Sequence, residues 1–403
     1  MASNSPISPG AVLALGSALR NDGSWPMLCF GTDCSPFQSG WSQVYALRFP
    51  DDREVSWAFH VPAQTGPSLT PKTVAAVVES EASMLAKLDE SGFRWSPKLI
   101  HYDAGHDNLI KRPYLVMSWV HGKSLEWTNS APKPQHREKI LRQIMGIQLE
   151  LAERTKVSRP GASTLTFLTT VVDGKVMNAA REVDKEPAPG VRDCLIHRAL
   201  LRYVIHKTLE FEPSIFSVSH GNLAAENIIV DSDYNITGIV GWSSARALPL
   251  QLAFRLPRFL ATKPDSPNQL APQLPDDLPA FAKQYLQPSP TLMADRHFVR
   301  LYLASLAADH DQGERASLAQ AMKHVLSDLD VNWQYLIIEA CFSKGLQAWL
   351  ADRGWLLLGT KGHMASLADF PPEKIMHEAE EFLREKGTGD DSLREAILKA
   401  CDS

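Results

Sequence analysis

The sequence predicts an α+β chain in two unequal parts, a small β-rich N-terminal part and a larger, mainly helical C-terminal part. Two observations carry this. Strand-forming runs bounded by turn residues gather in the first 120 residues, and from Pro134 onward apolar residues recur at helical spacing over long stretches. A third observation qualifies the second part: Ser217 to Val240 is a compact β segment set among the helices.

The elements follow in order. Trp41 to Phe49 and Val55 to Val61 are rich in strand formers, and the Asp51-Asp52 turn between them predicts a hairpin. Past the interruption at 67–71, Lys72 to Leu88 carries Val74, Val77, Val78, Met84, Leu85 and Leu88 at helical spacing. Tyr114 to Met117 predicts a short buried strand, and Gly122 a hinge into the second part. The division is therefore placed at 1–120 and 121–403. Arg137 to Arg154 and Cys194 to Leu209 predict long helices, whereas the composition of Val157 to Gly190 predicts a loop-rich insert with a hairpin around Asp173-Gly174. Ile228 to Val230 and Ile236 to Val240 flank a turn at Asp231 to Asn235. A proline-rich stretch over 263–291 precedes helices expected near 294–308, 315–328, 331–350 and 372–386.

Composition bounds the function. At 403 residues, 44% hydrophobic and 22% charged, the chain can bury a large core and has an ordinary globular balance. A net charge of −5 provides no basic footprint for nucleic acid. No apolar run reaches the roughly 18 residues of a membrane span, and Met1 to Gly10 lacks the order of a secretory signal. Cys29, Cys34, Cys194, Cys341 and Cys401 form neither a disulfide framework nor a zinc pair, which predicts reduced thiols in a cytoplasmic protein.

Residues 217–242 read SVSHGNLAAENIIVDSDYNITGIVGW. This segment resembles the catalytic segment of the aminoglycoside phosphotransferase and choline-kinase-like family, in particular its fungal members. The family pattern is H-G-D-x(4)-N followed by an apolar strand, a short hairpin, and a second strand ending in D-W. His220, Gly221, Asn227, Ile228 to Val230 and Trp242 fall in register with it. Gly40, Trp41 and Ser42 resemble the family's loop over the nucleotide phosphates. Glu81 lies where its small-lobe helix presents an ion-pairing glutamate, and Tyr114 to Gly122, with Met117 and Trp119, is similar to its adenine-holding linker. Over about residues 25–260 the resemblance implies a two-lobed protein-kinase-like fold with a small-molecule substrate in the inter-lobe cleft.

The chemistry implied by the resemblance departs at three positions. Asn222 stands where the pattern has its catalytic aspartate, Gly241 where it has the metal-binding aspartate, and His60 aligns with the phosphate-binding lysine or arginine. An amide orients a hydroxyl group but takes no proton from it, and losing a positioned base costs about 10²–10⁴ in rate. Glu226, Asp231 and Asp233 are the nearby acids, one off register and two in a turn. No cofactor is therefore expected, ATP and Mg²⁺ belonging only to an alternative reading.

The expected function is a kinase-fold protein without Mg·ATP phosphoryl transfer, repurposed as a metal-independent enzyme of fungal secondary metabolism. Cyclisation, isomerisation or epimerisation would use His60, Glu81, His220 and Asn222 as catalytic groups. Gly40, Trp41, Ser42, Met117, Trp119, Asn227, Gly241 and Trp242 would bind ligand, and no metal ligands are expected. The alternatives are a noncatalytic pseudokinase that binds a metabolite or protein, and an unconventional ATP-dependent phosphotransferase. Each position also has a structural explanation: His220 bracing backbone, Asn222 a turn, Trp242 in the core, and Trp95, Trp119 and Trp127 buried as tryptophans usually are.

Overall fold

A computed structural model of the chain describes residues 7–29, 36–39, 42–62, 70–181, 190–192, 194–196, 198–199, 215–260, 290–328, 372–387 and 391–401. In the N-terminal part, α1 (Pro9–Arg20) precedes the strands β1 (Met27–Cys29), β2 (Phe37–Ser39), β3 (Ser42–Arg48) and β4 (Trp57–Pro62). Helix α2 (Pro71–Glu90), β5 (Leu99–Asp103) and β6 (Tyr114–Ser118) follow. The sheet is antiparallel in the order β1-β3-β4-β6-β5, with β2 paired to β3. The expected hairpin is β3–β4, with Val44 opposite His60 and Tyr45 opposite Phe59.

Alternation along the strands sorts side chains to two faces. Phe59, Val61, Tyr114 and Val116 pack under α1 with Val12 and Leu15. Ala58, Leu115 and Met117 face α2 and meet Val78, Ala82 and Leu85. His60 shares the parity of Ala58, so the pleat turns it towards α2. The sequence reading assigned no helix to residues 9–20; its proline, glycine and small residues mask a short apolar stripe that the outer face of the sheet stabilises. Helix α2 begins with Pro71 after Thr70, whose hydroxyl caps Thr73 N at 3.2 Å.

Gly122 directly precedes β7 (Lys123–Ser124). Helix α3 (Pro134–Thr155), β8 (Val157–Ser158), α4 (Thr164–Arg181) and a helical stretch within 190–199 come next. They are followed by β9 (Ile215–Ser219), β10 (Ile228–Val230), β11 (Ile236–Ile239) and β12 (Arg246–Pro249). Two small antiparallel sheets form, β11-β10-β7 and β12-β9-β8. Helices α5 (Pro290–Ala307), α6 (Gly313–Asp328), α7 (Pro372–Lys386) and α8 (Asp391–Cys401) complete the described residues. The helices expected near 294–308, 315–328 and 372–386 are α5, α6 and α7. The one expected at 331–350, most of 194–209 and nearly all of the proline-rich stretch lie outside the described residues. No helix among the described residues is long and apolar enough to cross a membrane.

The loop-rich insert expected at 157–190 is corrected by α4. Thr164, Leu168, Val172, Val176 and Ala180 are buried at steps of four, the stripe of one helix face. Asp173, read as a turn residue, is buried, accepts from Arg198 Nε at 3.0 Å and is ion-paired with Lys386 Nζ at 2.6 Å. Arg198 also pairs with Glu378 and Glu385 of α7, so a buried ion network binds α7 to α4. Threonine and valine lower helix propensity by only a few tenths of a kcal/mol each, and packing outweighs that. A second buried pair, Arg137 with Asp295 at 3.0 and 2.6 Å, ties α3 to α5. One apolar cluster runs from the α2 face of the sheet through Ile140 and Ile144 of α3 to Trp242, so both parts share a core.

Candidate functional site

The loop between β9 and β10 and the end of β11 meet at a set of short contacts. His220 is buried, and Nε2 donates to Val240 O at 3.0 Å while Nδ1 accepts from Asn222 N–H at 3.3 Å. That pattern specifies the neutral tautomer protonated on Nε2. Burial lowers its pKa to about 4, so the ring stays neutral at physiological pH. As the expected catalytic His220 has both nitrogens bonded to backbone, its role in the fold is bracing. Gly221 turns at φ +79°, where a Cβ would lie 2.2 Å from Ser244 O; this position admits only glycine.

Asn222 is half-buried, and its Oδ1 accepts from Arg258 Nη1 at 3.2 Å. Asn227 is buried and donates from Nδ2 to Asn222 O at 2.9 Å. Gly241 ends β11 at φ +79°, and a Cβ there would stand 2.9 Å from Asn227 Oδ1. Three expected positions, Asn222, Asn227 and Gly241, thus converge. Trp242 belongs to the core and also borders the cavity described below. It is fully buried, donates Nε1 to Ile239 O at 2.7 Å, and packs against His220 with ring centroids 4.5 Å apart. A large apolar ring behind the loop serves the core.

Glu81 links this cluster to the sheet. It is buried on α2, and its carboxylate accepts the backbone N–H of Trp242. Burial is the larger effect and pushes its pKa up to about 7. His60 Nδ1 stands 4.0 Å from Glu81 Oε2, beyond hydrogen-bond distance. Burial pushes the His60 pKa down to about 4, and Nδ1 is buried without a hydrogen-bond partner among the described residues. The two groups face each other as a neutral imidazole and a carboxyl close to its titration midpoint at neutrality. A continuous path runs His60, Glu81, Trp242, Gly241, Asn227, Asn222, His220.

Other expected positions stand apart from this path. Gly40 and Trp41 lie outside the described residues. Ser42 is buried on β3 with its hydroxyl unpartnered among them. Met117 is buried in the shared core. Trp119 is half-buried, and its ring lies 5.7 Å from that of Phe37. The tryptophans do not gather: Trp95 donates to Glu150 at 2.9 Å, and Trp127 lies 4.1 Å from the Arg137 guanidinium. Of the nearby acids, Glu226 is exposed. Asp231 accepts from Asn235 Nδ2 and from the backbone of Asn235 and Asp233, bonds that lower its pKa and close the turn.

A cavity of about 690 Å³ lies on the C-terminal side of the His220–Asn222 loop. Its walls come from α3, α4, β9, β12 and the one-turn helix Leu250–Ala253, with Leu151, Leu168 and Leu252 among the apolar residues. Gln148, Lys175, Arg246 and Arg258 are among its polar ones. The inter-lobe cleft was the expected ligand site. This cavity lies instead within the C-terminal part, and Phe93 is the residue of its lining that comes from the N-terminal part.

Residues 33–251, more than half of the chain, match the model of the phosphotransferase enzyme family. The chain belongs to that family. No curated protein matches it. Among solved structures, an aminoglycoside phosphotransferase assignment from Ralstonia eutropha is 12% identical with a TM-score of 0.43, covering 82% of this chain and 98% of that one. A gentamicin complex of a 2″-type phosphotransferase is 9% identical with a TM-score of 0.42, covering 81% and 98%. An aminoglycoside-3′-phosphotransferase of type VIII is 17% identical with a TM-score of 0.37, covering 74% and 93%. Scores of this size carry no argument about chemistry.

Within this phosphotransferase-family chain, sequence reasoning found the backbone of the motif and missed the cavity. Lys175 sits on the helix that was read as loop. Arg246, Arg255 and Arg258 left one signal, three arginines within thirteen residues after the motif. Periodicity does not say which wall such residues face.

Proposed function

We propose that the chain binds a small molecule in the C-terminal cavity and does not transfer a phosphoryl group from Mg·ATP to it. The observation that carries this is the pairing at the cavity's edge, where the Asn222 amide oxygen accepts from Arg258. Phosphoryl transfer on a kinase-like fold needs a base for the acceptor hydroxyl, acidic metal ligands and a fixed cation on the phosphates. Asn222 offers an amide, Gly241 no side chain, and His60 a buried neutral ring. Of the motif positions, Asn227 brings an amide Oδ1 and no carboxylate, where Mg²⁺ relies on one or two carboxylates beside the substrate phosphates. No group of three His, Cys, Asp or Glu side chains suited to a metal occurs among the described residues. These donors do not fit Mg·ATP.

Metal-independent catalysis is the first expectation from the sequence, whereas the geometry favours binding. His220 is committed to backbone, and no carboxylate lines the cavity among the described residues. Catalysis keeps one supporting observation, the Glu81 carboxyl with its raised pKa facing His60.

Thermal unfolding with millimolar Mg·ATP tests the proposal. No shift is expected. A ligand at about 100 times its Kd stabilises by about 2.7 kcal/mol, and a shift of that order with ATP turnover sinks it. Conversion of a bound metabolite, lost in Glu81→Gln with binding kept, would favour the catalytic reading.

A further inference from the structure

We infer that the C-terminal cavity takes an anionic small molecule with an apolar body, a carboxylate, sulfonate or phosphate ester on a hydrocarbon or aromatic frame. This rests on the reading of that cavity as the binding site. Lys175, Arg246, Arg255 and Arg258 line it, and no Asp or Glu does among the described residues. The chain as a whole has 46 acidic against 41 basic residues, so the cavity runs against the overall balance. Arg246 and Lys175 have no acidic partner among the described residues, and Arg258 bonds only to the neutral Asn222 amide and so keeps its charge uncompensated.

Guanidinium groups match the fork of a carboxylate or phosphate and form charge-assisted bonds with it. A cavity lined by one sign of charge between low-dielectric walls concentrates ligands of the other sign. Beside neutral polar residues such as Gln148 and Ser219, the lining has a set of apolar ones, including Leu151, Leu168, Val171 and Leu252, which sets the body of the ligand. At about 690 Å³ the cavity falls within the usual range for ligand pockets, roughly 300–1,000 Å³. A polycation meets no counter-charge among the described residues of the lining.

Three fluorescent probes that differ in the charge of the head group test the inference: 1-pyrenebutyrate, 1-pyrenebutanol and 1-pyrenemethylammonium. On the full chain, pyrenebutyrate should bind at least tenfold more tightly than the alcohol, and the ammonium weakest. Arg246→Gln with Arg258→Gln should weaken pyrenebutyrate about tenfold or more, the loss of a charged hydrogen bond, and leave the alcohol unchanged. Circular dichroism of the double variant checks that it folds. If the ammonium binds as tightly as the butyrate, the anionic class is overturned while the cavity stands. If no probe binds, or Val171→Trp at the cavity wall leaves the binding of all three unchanged, the cavity reading itself fails.

Discussion

Glu81 is buried on both counts that matter, by the sheet and by the Trp242 backbone, and the consequence is a pH dependence with a definite sign. Its folded pKa near 7 exceeds the unfolded value of 4.5. The folded chain therefore binds more protons between those values, and the Glu81 contribution falls as pH rises through that window. His60 and His220, lowered from 6.5 to about 4, act the other way: their contributions are lost as pH falls from about 6.5 towards 4. Glu81→Gln keeps an oxygen for Trp242 N–H and removes one side of this balance. It should be more stable than the wild type by about 3 kcal/mol at pH 8, from the shift at 1.36 kcal/mol per unit, with no difference near pH 4; chemical denaturation at the two pH values measures it. His220→Phe leaves Val240 O and Asn222 N–H without partners and should cost about 2–6 kcal/mol, at roughly 1–3 per unsatisfied buried group.

At the scale of elements, α4 offers the sharpest contrast between sequence and fold. Asp173-Gly174 is a turn signal, yet the residues around it form a helix. A Cβ at Gly174 would meet nothing within 4 Å, and its φ is not positive. Gly174→Ala should therefore stabilise the chain by about 0.5–1 kcal/mol in urea unfolding, as for an open helix position; a hairpin turn there would give a loss instead. The Arg137–Asp295 pair crosses from α3 to α5 with both side chains about 5% exposed. Asp295→Ala leaves a buried guanidinium and should cost about 3–5 kcal/mol, read by the same titration.

For the whole molecule, the chain belongs to the phosphotransferase enzyme family, and the proposal is that its site departs from Mg·ATP chemistry. Restoring the acids is a demanding test. Asp at 241 places a Cβ 2.9 Å from Asn227 Oδ1 at a positive φ, which strains the turn by roughly 1–3 kcal/mol. Asp at 222 meets Arg258 and forms an ion pair with it. Asn222→Asp combined with Gly241→Asp is expected to show no ATPase activity above background in a coupled assay. Strong turnover would show that the nucleotide pocket is complete and only the acids are absent.

The sequence by itself determined the class of fold, the hairpin β3–β4, helix α2, the β10–β11 hairpin and the positions of Asn222 and Gly241. These rest on local periodicity, turn chemistry and motif spacing, all of which are written along the chain. The tertiary structure alone decided that α1 and α4 are helices, because their stripes are stabilised by the sheet and by the Arg198 network. It also decided that His60 faces Glu81, through strand parity against a helix about twenty residues away. His220 became a brace and Trp242 a core residue because β11 returns beside the loop. The cavity and its cations come from residues up to about 230 positions apart, and packing over such distances leaves no local mark on the sequence.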